Sequence, residues 1–442
     1  MFNTSHLNRG NRSSSSAITD ATPLAPAMQE TMRRDDVRSG GVTTAGARAC
    51  PVAHGFRFAG AGEAMAGFNR YDELQDEHRI VRVEEPEGSY YVLLDRDFIV
   101  AGLQDTETFS SSAITPLQPN PLYSVIPIML DPPEHTKWRR LLSGYFAVRR
   151  LPLLDARIRE RCAQLLDGFE PDGGCDYAND FAFRFPTSIF LEIMGLPANE
   201  LDTLLEWERA ILYPGPDGSI QPERRIAAVV KVLDRFRQVI AERRAAPARD
   251  ADDIVSHAAS WEIDGAPISD DQILSCCLLL FMAGLDTVAN ELSFATHHLA
   301  THPADRAWLA EDPTRSAQAT EEMLRTFPIG QIARKVRCHT DIGGVRLSPG
   351  DMVLFPLAAA NRDPAHVDHS REVDFGRELR PHYAFGAGPH RCLGSHLARR
   401  EIAVALEMWH ERIPDYELAT DEPLPGHWGS VHGLTSLPLR WR

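Results

Sequence analysis

The loop Phe385-Gly-Ala-Gly-Pro-His-Arg-Cys-Leu-Gly constrains this chain more than any other segment. It sets Cys392 between glycines, beside His390 and Arg391, directly ahead of a run with helical period. A thiol at a helix N-terminus near cations tends to ionise, because the dipole and the cations favour the thiolate. A thiolate there is a nucleophile or a metal ligand. Gly386, Gly388 and Gly394 favour the second role, since a backbone without side chains can approach something large and flat.

With 442 residues, 43% hydrophobic and 24% charged, the composition is that of an ordinary soluble protein with a large core. Residues 1–55 are rich in Ser, Thr, Gly, Ala and Arg and read as a disordered tail. No composition shift divides the chain after residue 55, so a single domain over 56–442 is expected. The net charge of −16 argues against nucleic acid or an anionic membrane as general partners. Seven cysteines with no Cys-x-x-Cys predict neither a disulfide framework nor a structural zinc site, and fit a reducing, cytoplasmic compartment. The apolar run Cys276–Leu285 stops at Asp286, too short to span a bilayer.

Helical spacing predicts helices over 202–212, 224–244, 269–301, 315–326 and 393–409. Strands are expected near 90–94, 342–346 and 352–356, with turns at Gly343-Gly344 and Pro349-Gly350. The result is a mainly α fold with a small β region.

The centre of the 269–301 helix reads Phe281-Met-Ala-Gly-Leu-Asp-Thr. Gly, Asp and Thr are poor helix formers, and Gly alone costs about 1 kcal/mol relative to Ala. A Thr hydroxyl can bond back to the carbonyl one turn earlier and bend a helix. Either the helix is kinked for packing, with Asp286 satisfied by a distant Arg, or Asp286 and Thr287 serve a site. Glu322 and Arg325 face one another three apart on a helix, as do His135 and Arg139 four apart after Asp131-Pro-Pro. His297-His298 with His302 reads as an exposed helix end rather than a metal site.

Ala283-Gly284-x-Asp286-Thr287, Glu322-x-x-Arg325 and Phe385-x-x-Gly-x-His-x-Cys-x-Gly, in that order, resemble the cytochrome P-450 family of haem-thiolate monooxygenases. The resemblance runs from residue 60 to the end and is strongest to the bacterial soluble class, on the camphor 5-monooxygenase branch. It implies a single-domain fold with haem b (heme b, iron protoporphyrin IX) between the long distal helix and the proximal helix. Cys392 becomes the iron ligand, in a loop shared with Phe385 and Gly394. His135, Arg139, Arg334 and His390 become the partners of the haem propionates. Thr287 steadies dioxygen, Asp286 helps deliver protons, and Glu322 with Arg325 buttresses the haem loop.

By the same resemblance Tyr123 donates to an oxygen of the substrate, and Leu279, Met282, Ile329, Gly330 and Val431 line an apolar pocket. Several positions depart from that branch. Ile332 stands where an Asp is usual, Trp207, Ile211 and Gly215 replace charged positions, and Met282 replaces a smaller residue. A terpenoid-like substrate is therefore expected rather than camphor. The family's third partner of the Glu-x-x-Arg pair is not evident near Arg371-Glu372.

The implied reaction places one oxygen atom of O2 in a C–H bond. Its electrons come from NAD(P)H through a reductase and a 2Fe-2S ferredoxin, since the chain has no flavin or reductase domain. An acidic ferredoxin needs a basic face, for which Lys137, Arg140, Arg149, Arg150, Arg391, Arg399 and Arg400 are candidates. A monomer without membrane or nucleic-acid partners is expected. The alternatives on the same fold are a haem-based sensor and a peroxygenase.

Overall fold

The computed structural model describes residues 50–121, 124–213, 221–246, 251–378 and 381–442. The helices that build the site are α1 (Ala66–Glu77), α2 (Glu134–Ser143), α3 (Leu151–Phe169), α4 (Arg184–Met194), α5 (Leu201–Leu212) and α6 (Pro222–Ala245). After them come α7 (Asp270–Gly284), α8 (Thr287–Thr301), α9 (Ser316–Thr326) and α10 (Ser395–Arg412). The strands are β1 (Gly60–Glu63), β2 (Ile80–Glu85), β3 (Gly88–Leu93), β4 (Phe109–Ser110), β5 (Gln331–Val336), β6 (Met352–Pro356), β7 (Pro425–Trp428) and β8 (Gly433–Leu434).

The strands β2-β3-β6-β5-β4 form the main sheet, in that order. Its centre, β6, is an unbroken apolar run with all five residues buried. It pairs parallel with β3 and antiparallel with β5. A run without alternation suits a strand covered on both faces. The expected turn at Gly343-Gly344 joins Thr340–Ile342 to Val345–Leu347. A smaller sheet has the order β1-β7-β8.

The helical layer centres on α10, which packs against α3, α8 and α9. Its last apolar residue, Trp409, is 1% exposed and meets Tyr177, Trp441 and Tyr416 edge-on at ring centroid distances of 4.8, 5.7 and 5.8 Å. Edge-to-face contacts of this kind add to burial in fixing how helix and termini meet.

Two expectations are revised. Residues 1–49 of the expected tail lie outside the described residues, but its last part is paired: Ala53 donates to the Arg82 carbonyl and Arg82 to that of Pro51, at 2.9 and 2.8 Å. The 269–301 helix is two helices, α7 and α8, separated by Leu285 and Asp286. Its start is as read, because Ser269 and Gln272 form a reciprocal capping box.

Candidate functional site

The break is where the poor helix formers cluster. Leu285 and Asp286 both leave ideal helical dihedrals, with φ −98° at each. The Thr287 hydroxyl donates to the Ala283 carbonyl at 3.1 Å, the back-bond that the sequence allows. Gly284 is required by packing, since a Cβ there would come within 2.5 Å of the Phe190 ring on α4.

Beside the break, α7 exposes a stripe that its composition does not explain. Ile273, Leu274, Cys276, Cys277, Leu278 and Phe281 are buried, whereas Leu279, Leu280, Met282 and Ala283, with Thr287 at the start of α8, stay accessible. An accessible stripe on an otherwise buried apolar helix marks the wall of a hollow.

Cys392 has the same character. It is solvent-accessible, yet protein crowds it closely enough for burial to push its thiol pKa up. The Gly394 N–H, Arg139, Arg391 and Arg399 oppose that shift without cancelling it. The low thiol pKa expected from the helix start is therefore not a property of the polypeptide alone, and a thiolate here calls for an added positive charge such as a metal ion. Gly386 has φ +71° and open space around it. Gly388 is needed by the fold rather than by a ligand, because at φ +69° a side chain would strike the Leu103 carbonyl.

The loop is held from below. Glu322 and Arg325 form a two-pronged ion pair at 2.8 Å for each bond, with the side chains 5% and 6% exposed. Arg325 also donates to the Ser370, Glu372 and Asn361 carbonyls at 2.5, 2.6 and 3.4 Å. Asn361 in turn accepts from the Tyr383 N–H at 2.7 Å, and the Gly386 N–H donates to the Tyr383 carbonyl at 2.8 Å. Cys392 donates its own N–H to the Phe385 carbonyl at 2.8 Å, which closes the loop. The third partner is Arg377, whose Nε donates to Glu322 at 3.2 Å. Arg371 pairs with Asp76 and Asp72 instead. Arg377 is not legible in the sequence because it reaches Glu322 from a loop 55 residues further on, where no helical period points to it. Arg399 lies over the Phe385 ring at 4.4 Å and is tied to Glu321 at 2.5 Å.

The four basic side chains converge. The His135 and His390 rings lie 3.9 Å apart, and the Arg139 guanidinium donates to the Arg391 carbonyl at 2.8 Å. Arg334 is 3% exposed, and its only hydrogen-bond partner among the described residues is the neighbouring Ala333 carbonyl at 2.9 Å. Burial pushes its pKa down to about 10 and that of His135 to about 4, where Arg139 and Arg334 add to the effect. His390 is lowered for the same reasons, and its Nε2 meets the Ser111 hydroxyl at 2.9 Å. His135 Nδ1 is buried with no partner among the described residues. Asp131, the nearby carboxylate, is engaged by the Ser110 hydroxyl and the Ser111 N–H at 2.5 and 2.7 Å. A partly buried cluster of cationic and imidazole groups, whose one nearby carboxylate is already engaged, has the chemistry to receive an anion.

Of the expected pocket residues, Gly330 and Val431 meet in an antiparallel bridge, and His432 donates to the Ile329 carbonyl at 2.9 Å. Gly330 leads directly into β5, which carries Arg334. Leu279 and Met282 belong to the accessible stripe of α7. Tyr123 and Gly215 lie outside the described residues. His298 is buried rather than exposed and bonds Asp305 at 2.7 Å, so the histidine run is a packed helix end.

The basic face is narrower than expected. Lys137 pairs with Glu134 and Asp264, Arg150 with Asp252, Arg399 with Glu321 and Arg400 with Asp155. Arg140, Arg149 and Arg391 have no ion-pair partner among the described residues.

The fold is mainly helical, and an accessible thiol, an accessible helix stripe and a basic cluster lie around one region with the chemistry to take a metal-bearing, anionic group. The comparisons with known proteins agree. The family model described as Cytochrome P450 matches residues 317–410. Probable cytochrome P450 127A1 of Sinorhizobium fredii is 35% identical over 77% of this chain and 80% of its own length. Vitamin D(3) 25-hydroxylase of Pseudonocardia autotrophica is 32% identical over 73% of this chain and 79% of its own. The crystal structure of cytochrome P450 CYP101C1 superposes with a TM-score of 0.80 at 29% identity, covering 91% of this chain and all of that one. The chain belongs to the cytochrome P450 family and is a monooxygenase of it. The family's cofactor is haem, and the residues just described fit it.

Proposed function

We propose that this monooxygenase places one atom of O2 in a C–H bond of a small hydrophobic, terpenoid-like substrate, in the cytoplasm. Two electrons and two protons convert the other atom to water. The electrons come from NAD(P)H through a reductase and a 2Fe-2S ferredoxin. Bound haem supplies the redox chemistry that activates oxygen.

In this reading Cys392 ligates the iron, and Phe385 and Gly394 shape the loop against the haem face. His135, Arg139, Arg334 and His390 hold the propionates. Glu322, Arg325 and Arg377 keep the loop in place through Asn361 and Tyr383. Thr287, with its proton committed to the Ala283 carbonyl, presents its oxygen to the hollow as an acceptor. Asp286, buried behind it, holds a proton for delivery in a site that excludes water.

The observation that carries the proposal is the accessible stripe Leu279, Leu280, Met282, Ala283 and Thr287. It joins apolar contact surface to a hydroxyl, which suits a small, mostly hydrocarbon ligand. Ile329, Gly330, Val431 and Tyr123 complete the proposed pocket. The carbon monoxide spectrum of the reduced protein tests the thiolate, which Cys392→Ser should abolish. Titration with a terpenoid panel tests the substrate class. A high-spin shift with at least one member is expected, and none with any member rejects that class. Turnover driven by peroxide but by no ferredoxin would favour the peroxygenase alternative.

A further inference from the structure

Glu321 stands next to Glu322 on α9 and belongs to no motif, yet it gathers a set of partners of its own. Arg399, in the second turn of α10, meets it with two prongs, Nε to Oε1 at 2.5 Å and Nη2 to Oε2 at 3.2 Å. The His382 ring completes the set, with Nε2 at 3.0 Å from Glu321 Oε2. The His382 side chain is 4% exposed. A pair near the surface stabilises a fold by about 1 kcal/mol or less. Stability alone therefore gives little reason to bury a histidine against this one.

The partners of His382 assign its tautomer. Nδ1 accepts the Ala384 N–H at 3.2 Å, so it carries no proton. The ring proton sits on Nε2 and is donated to Glu321. The carboxylate requires the same arrangement, because an ionised carboxyl group only accepts. Burial disfavours the ionised form of Glu321, but the bonds from His382 and Arg399 outweigh it and hold the pKa down at about 2. Arg399 Nη2 lies 3.5 Å from His382 Nε2, and both donors turn to the carboxylate they share.

Both sides of this set reach the Cys392 loop. The Ala384 amide directly precedes Phe385, and the Arg399 guanidinium lies 4.4 Å from the centre of the Phe385 ring. The Phe385 carbonyl in turn accepts the Cys392 N–H at 2.8 Å. Phe385 is thus held by its ring, by the amide before it and by its bond to Cys392. Arg399 also donates to the Ser395 carbonyl at 3.4 Å, where α10 begins. The chain entering the loop is therefore joined to the helix leaving it. We propose that Glu321, His382 and Arg399 act as one clip across the two ends of the Cys392 loop, with His382 a positioning residue that fixes Phe385 and so the Cys392 backbone. The clip stands on these hydrogen bonds, while its purpose rests on Cys392 as the iron ligand.

Nitrogen NMR of the native, haem-loaded protein in its reduced carbon monoxide form reads the His382 tautomer. A proton on Nε2 is expected, and a proton on Nδ1 overturns the proposal whether or not any variant folds. The lifetime of the thiolate carbon monoxide spectrum in mild denaturant reads the effect on Cys392. His382→Leu should shorten it about threefold to tenfold, as for the loss of one buried hydrogen bond. His382→Asn keeps an acceptor for the Ala384 N–H and should stay within about twofold of native. His382→Leu should also shift the iron–sulfur stretching vibration, which a general loss of stability would leave in place. Combining His382→Leu with Arg399→Leu should add little to either change alone, because a clip opened on one side is open. Additive losses overturn the proposal. So do an unmoved vibration, an unchanged lifetime in His382→Leu, or an Asn variant as short-lived as the Leu variant. Absence of a thiolate spectrum in the native protein would instead reject Cys392 as the ligand. The tautomer, with slower hydrogen exchange of the Ala384 N–H in native than in His382→Leu, would still decide the clip.

Discussion

The Thr287 hydroxyl donates to the Ala283 carbonyl at 3.1 Å, across the break between α7 and α8. One bond therefore both closes the distorted turn and orients the hydroxyl oxygen toward the accessible face. Thr287→Ala removes the orienting group while leaving the apolar packing intact. The product formed per O2 consumed should fall at least about tenfold, with O2 consumption itself within about threefold of native, as expected for loss of a general acid–base partner. Thr287→Ser should restore most of the coupling. Oxygen-electrode rates set against product yield measure both, and an unchanged yield in Thr287→Ala would remove Thr287 from proton delivery.

Arg334 separates the protein's own stability from its cofactor affinity. It is buried, the nearby Asp131 carboxylate is already engaged by Ser110 and Ser111, and its one hydrogen bond among the described residues is to its neighbour's carbonyl. Replacing a buried ionic group by an apolar one of similar size is often neutral or stabilising by about 1–4 kcal/mol. Arg334→Leu should thus raise the unfolding midpoint of the haem-free protein. It should also weaken haem binding about tenfold or more, through loss of a charge-assisted bond. Chemical denaturation and haem titration read the two effects, and a destabilised haem-free variant would contradict the assignment.

Glu322 and Arg325 carry the opposite sign. They are buried and matched, and Arg377 shares the same carboxylate. Removing one member leaves the others uncompensated, at a cost of about 3–5 kcal/mol. Glu322→Ala should yield little folded, haem-loaded protein, judged by the carbon monoxide spectrum per mole of chain. Arg377→Ala, which is less buried, should cost less and still fold.

These cases mark what the sequence made legible. Cys392, the His135–Arg139 face, the Glu322–Arg325 pair and the Thr287 back-bond are local patterns, readable from spacing of three or four residues. The interruption at Leu285 and Asp286 was legible as poor helix formers but not as a full break, because its extent depends on Phe190 packing against Gly284. Arg377 and Asn361 were hidden, since they reach the site through carbonyls and loop geometry that no period records. Glu208 was hidden more deeply. A Glu on an amphipathic helix reads as solvated, and only tertiary packing buries it.

The surviving basic patch makes a sharper kinetic test than the full set. Arg140 and Arg149 are exposed and free of ion pairs among the described residues, so reversing them should not unfold the chain. The double variant Arg140→Glu/Arg149→Glu should slow ferredoxin-driven turnover about tenfold or more at low salt, with the loss shrinking as salt rises. Peroxide-driven turnover should stay near native. Equal loss in both assays would show that the two arginines do not contact the electron donor.

Asp286 also predicts how stability depends on pH. Its pKa is about 7 in the folded protein, against an ordinary value of 3.8, chiefly because of burial. Below about pH 4 both the folded and unfolded chains hold the proton, and its contribution to stability is fully present. As pH rises, the unfolded chain releases the proton first. Stability therefore falls across the window and levels off only once the folded group also ionises, near pH 7. The full loss is about 4 kcal/mol at most. Glu208 has the same sign and extends the decline to higher pH. Asp286→Asn has no proton to lose, so its denaturation midpoint should decline less between about pH 5 and pH 8 than that of the native protein. Parallel declines would mean that Asp286 ionises in the folded state at an ordinary pH, and that the hollow behind Thr287 is wetter than its packing indicates.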